Sequence, residues 1–147
     1  MSDNDLIKLY SGRILELASD IPLTERLDAP AATVRKRSPL CGSTVTVDVD
    51  LLDGKISRFG QDVKACALGQ ASASVLGSQV IGRTRAEIET ARDQLRAMLK
   101  DGGAVPDAPF DGFEVLQPAV AYKNRHASIL LAFDATVAAT EELTATG

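Results

Sequence analysis

Hydrophobic and polar positions fall into blocks with two different periods. Leu6, Leu9, Tyr10, Ile14, Leu15 and Leu17 recur at helical spacing, which predicts an amphipathic helix over residues 5–18. Asp20, Pro22, Asp28 and Pro30 turn the next stretch into a loop. Residues 33–37 read as a short edge strand around Val34, ended by Pro39. Residues 44–49 run Thr-Val-Thr-Val-Asp-Val, an alternation that places Val45, Val47 and Val49 on one face of a strand. Asp53-Gly54 supplies a hairpin turn, because both residue types tolerate positive φ. Residues 55–61 then return as the partner strand, which gives a small antiparallel meander of about three strands.

The period changes after Asp62. Residues 66–80 are almost all small or aliphatic, with Ala67, Gly69, Ala71, Ser72, Ala73 and Ser74 in close succession. Such a helix can approach its neighbours closely and is expected to be buried. Gly82 ends it, and Thr84 with Glu87 forms a capping-box pattern for a helix running to about residue 100. Asp101-Gly102-Gly103 closes that helix. Pro106, Pro109 and Gly112 mark a loop over 104–112. One helical turn is predicted over 113–116, and Pro118 breaks the stretch after it. Ile129, Leu130, Phe133 and Val137 predict a last helix over about 124–143. No repeat or linker divides the chain, so the expectation is one α+β domain over residues 1–147.

Composition narrows the function. Sixteen Lys and Arg against twenty Asp and Glu give a net charge of −4, the wrong sign for a nucleic-acid binder. Trp is absent and aromatics make up 4%, so the core must be aliphatic and base-stacking surfaces are disfavoured. The opening Met-Ser-Asp-Asn-Asp has neither the basic nor the apolar part of a signal peptide. No apolar run reaches the roughly 20 residues of a membrane span. The expected location is cytoplasmic, where Cys41 and Cys66 stay reduced.

Cys41, Cys66 and His126 are the soft donors, and each falls at a junction between elements. Cys41 lies in the turn Pro39-Leu40-Cys41-Gly42, Cys66 where a strand meets the small-residue helix, and His126 near the start of the last helix. Thiolate and imidazole suit zinc or iron–sulfur chemistry. The cysteines lack the CxxC spacing of a zinc knuckle, and on the residues alone structural roles for both thiols, and a surface or satisfied core role for the lone His, are the commoner case. A helix N-terminus and Lys64 both attract a thiolate at Cys66. Arg35-Lys36-Arg37 is either a solvated edge that blocks aggregation, an electropositive surround for a reactive thiolate, or a docking patch for an acidic partner.

These segments resemble, in order, the IscU/NifU-like iron–sulfur cluster assembly scaffolds, including the SufU branch. Ser38-Pro39-Leu40-Cys41-Gly42-Ser43 is similar to the family's Pro-x-Cys-Gly-Asp turn, with Ser43 in place of Asp. Cys66-Ala67 leading into Ala71-Ser72-Ala73-Ser74 resembles the segment of the second ligand. Arg125-His126-Ala127-Ser128 is similar to its His-Cys-Ser, with Ala127 in place of the third Cys. Residues 120–124 do not match the family's chaperone-recognition segment. The resemblance implies that Cys41, Cys66 and His126 bind iron, a [2Fe–2S] cluster or zinc transiently. The fourth position would be open or filled by a neighbour such as Asp62. It also implies a non-enzymatic scaffold that meets a cysteine desulfurase and apo iron–sulfur acceptor proteins, with no nucleic acid and no membrane. Two alternatives stand beside it: Cys41 as a persulfide acceptor, and an interaction module without metal chemistry. The scaffold expectation requires Cys41, Cys66 and His126 to converge, with Cys41 the more accessible thiol.

Overall fold

The computed structural model describes residues 12–39 and 42–145. The first helix is described as α1 (Gly12–Ser19), so the residue 5–11 part of its expected span lies outside the described residues. The strands are β1 (Ala32–Arg37), β2 (Thr44–Leu52) and β3 (Lys55–Lys64). They form one antiparallel sheet in the order β1-β2-β3, so the meander is as the alternation predicts. Ala32 faces Val49 and Arg37 faces Thr44; on the other side Thr44 faces Lys64 and Val49 faces Phe59. Both hairpin strands outrun the expected bounds, because pairing continues past a bulge between Asp50 and Leu51 and on to Lys64.

Three further helices are α2 (Ala67–Gln79), α3 (Arg85–Asp101) and α4 (His126–Ala145). Helix α2 is buried on nearly every side, as its small residues allow. The capping box of α3 is complete, with Thr84 accepting from the Glu87 amide and Glu87 accepting from that of Thr84. Gly102, in the left-handed conformation, ends α3. The stretch before α4 differs from expectation. Instead of one turn broken at Pro118, a 3₁₀ helix runs through Asp111–Ala121. A 3₁₀ helix also covers Lys123–Arg125, so α4 starts at His126. Proline's fixed φ fits a 3₁₀ turn, and the buried Phe113, Leu116 and Ala119 hold the segment to the core.

Val45, Val47 and Val49 face the helical layer, where α4 crosses β1 and β2. Phe110, Phe113 and Phe133 form an aromatic cluster with ring centroids 5.3–6.5 Å apart. The opposite face of β2 carries Asp48, whose side chain is fully buried. Arg26 Nε and Nη2 donate to it at 2.6 and 3.0 Å, the Leu27 amide at 3.0 Å and Thr33 Oγ1 at 2.7 Å. Burial pushes the Asp48 carboxyl up, but these donors and the Arg26 charge outweigh it and hold the carboxyl below the usual aspartate range. The 20–31 loop is thereby tied across the sheet. No helix among the described residues is long and apolar enough to cross a membrane.

Candidate metal and sulfur site

Two junctions meet at the N-terminus of α2. Cys66 is the N-cap of that helix, with extended backbone (φ −66°, ψ 169°), and its carbonyl accepts from the Gln70 amide at 2.9 Å. Its side chain is half-buried and does not cap the helix. The thiol lies 3.6 Å from Ser128 Oγ, and Ser128 Oγ donates to Ser43 Oγ at 3.0 Å. With that hydroxyl proton committed to Ser43, the thiol donates to Ser128. Cys66, Ser128 and Ser43 therefore form one chain drawn from α2, α4 and the β1–β2 turn.

Two glycines make this approach possible. A Cβ on Gly69 would stand 2.7 Å from Ser128 Oγ and 2.8 Å from the Ala65 Cβ, so only glycine lets α4 come this close to α2. Gly42 has φ +68°, the left-handed region that glycine enters without steric cost. It closes the β1–β2 turn, where the Gly42 amide donates to the Ser38 carbonyl at 3.0 Å and the Ser38 amide to the Ser43 carbonyl at 2.8 Å. Cys41 belongs to this turn in sequence but lies outside the described residues.

His126 lies two positions before Ser128, roughly 200° around the helix, and is among the residues that line the groove between α3 and α4. Its Nε2 lies 2.8 Å from the Ala119 carbonyl, so Nε2 carries the proton and donates. Ala127, expected at the third-ligand position, also lines that groove. Ser128, which the sequence offers only as the serine of the His-Cys-Ser resemblance and not as a site residue, stands beside Cys66. Among the described residues, no three His, Cys, Asp or Glu side chains could hold a metal ion together. The side chains hydrogen-bonded at the Cys66 thiol, among the described residues, are hydroxyls, Ser128 directly and Ser43 through it.

A search with protein-family models gives no match, and no curated protein sequence matches. Solved structures do match. A nitrogen-fixing NifU-like protein (N-terminal) from Brucella abortus is 41% identical, with a TM-score of 0.94 over 97% of this chain and 99% of that one. The chain belongs to the NifU-like family. At lower identity the likeness is one of fold. A protein from Fervidobacterium islandicum AW-1, whose name proposes an iron–sulfur cluster assembly scaffold for the SUF system, is 21% identical. Its TM-score is 0.79 over 91% of this chain and 98% of that one. A hypothetical protein is 23% identical, with a TM-score of 0.81 over 92% of this chain and 98% of that one. The three-stranded antiparallel α+β architecture of this NifU-like chain is that of the family.

Proposed function

We propose that the chain is an iron–sulfur cluster assembly scaffold whose cargo, iron, a [2Fe–2S] cluster or zinc, is held by the Cys41 and Cys66 thiolates. The observation that carries this reading is the placement of Cys66. Its thiol sits half-buried at a helix N-cap and is linked through Ser128 to Ser43, two residues from Cys41. NifU-like membership and the fold shared with the SUF-system protein support the scaffold role. His126, expected as a third ligand, is among the residues lining the α3–α4 groove, and the ligand set proposed here is the two thiols. Two thiolates leave cargo coordination open, which suits brief holding and transfer to acceptor proteins.

The hydroxyl surround also favours a second reading, sulfur acceptance from a cysteine desulfurase. The Cys41 thiolate would attack the outer sulfur of the donor's persulfide. A new S–S bond forms on Cys41, the donor's S–S bond breaks, and the donor leaves as thiolate, so no external oxidant is needed. Elemental analysis of protein purified without chelator separates the two. Bound iron or zinc that is lost in Cys66→Ser supports the scaffold. Metal-free protein that retains labelled sulfur on Cys41 overturns it in favour of the acceptor.

A further inference from the structure

Two depressions line the exposed side of α4 and share Asp134. One, of about 520 Å³, lies between α3 and α4 and is lined by Arg96, Lys100, Lys123 and His126. The other, of about 300 Å³, is lined by Lys36 and Arg37 of β1 and by Arg92 of α3. Six cations of a chain with net charge −4 thus gather on one face. Arg92 pairs with the neighbouring Asp93 at 3.2 Å, but the other five are poorly paired. Arg26, Arg58, Arg83 and Arg85 each hold a carboxylate at 2.6–3.1 Å. Arg96 reaches Asp93 and Asp134 only at 3.9 Å. Lys36, Arg37, Lys100 and Lys123 have no ion pair among the described residues.

We infer that this face is a docking track for an acidic segment of a protein partner. From His126 to Glu141 the track is about 22 Å long at the helical rise. That is too long for one small anion and matches about seven extended residues. No Phe, Tyr or Trp lines either depression, and the one ring there, that of His126, is buried, so a nucleobase meets no open stacking platform. Asp134 and Glu141 interrupt the cations, which opposes a continuous phosphate backbone and suits a peptide whose carboxylates are spaced. The track begins at His126 and Ala127, on the outer side of the helical turn whose inner side carries Ser128.

Fluorescence anisotropy with a labelled glutamate-rich peptide of about seven residues tests this on the full, metal-free chain, independently of cargo binding. Saturable binding should weaken at least tenfold in Arg96→Glu/Lys100→Glu, remain unchanged in Lys55→Glu at the far hairpin, and fall as salt rises. Amide shifts in the wild-type chain should centre on Lys36, Arg96 and Lys123, a readout that does not depend on the variant folding. Absence of saturable binding, equal weakening in both variants, or shifts centred elsewhere overturns the proposal. Displacement of the peptide by inorganic phosphate at similar concentration would make this a small-anion site. Tighter binding of a single-stranded oligonucleotide would make it a nucleic-acid surface. Either outcome also overturns the proposal.

Discussion

Ser128 and Ala127 differ by one step along α4, and that step of about 100° decides which of them faces the thiol. Ser128→Cys should therefore add a donor beside Cys66 and raise retained zinc at least tenfold under anaerobic conditions. Ala127→Cys should leave retention unchanged, since that side chain lines the α3–α4 groove. Equilibrium dialysis of both variants checks the pair, and a gain at 127 without one at 128 would refute the geometry. Alkylation with peptide mapping gives a second test. Cys66 is half-buried and bonded to Ser128, so Cys41 should react first, and zinc should protect both. The placement of Cys66 at a helix start was legible in the sequence, because the change from strand alternation to small residues marks that junction. Ser128 was not. From Ser128 to Phe133 every residue of α4 is buried, so no polar stripe marks which side faces the site. His126 drew attention as the single imidazole, and its position on the helix lies roughly 200° from that of Ser128.

The elements were legible where a short-range pattern is strong. Valine alternation marks β2, the Thr84–Glu87 box marks the start of α3, and small residues mark α2. The Asp111–Ala121 helix was obscured because Pro118 reads as a breaker, whereas tertiary packing of Phe113 and Leu116 sustains a 3₁₀ path through it. The tie between Asp48 and the 20–31 loop was equally hidden, since it depends on contacts far apart in the chain. Asp48→Asn removes the charge that Arg26, Thr33 and the Leu27 amide address. It should cost about 2–3 kcal/mol by denaturant unfolding, below the full penalty of a broken buried pair because Arg26 is half-exposed and stays solvated. The folded carboxyl lies below its unfolded value near 3.8, so the unfolded chain binds the proton more readily. The stabilisation is complete above that value and disappears as pH falls through the folded pKa. Wild type and Asp48→Asn should thus converge in stability at strongly acidic pH, and a gap that stays constant there would contradict the assignment. Gly69→Ala should cost about 1–3 kcal/mol by forcing α2 away from Ser128.

Across the whole molecule, a single α4 serves two surfaces. Its inner side closes the sheet and presents Ser128 to Cys66, while its outer side carries the Asp134 track. Asp134 shows the tension of that arrangement. Burial pushes its carboxyl up, and Arg96, Arg92 and Lys36 pull it down without cancelling the shift. The central claim is that cargo is held by thiols at the α2 N-terminus and not by the lone imidazole. Anaerobic reconstitution with ferrous iron and sulfide, read as visible absorbance in wild type, Cys66→Ser and His126→Ala, tests it most directly. The account predicts cluster bands in wild type and in His126→Ala, and their loss in Cys66→Ser. Bands that survive in Cys66→Ser, or that vanish in a folded His126→Ala, would contradict it.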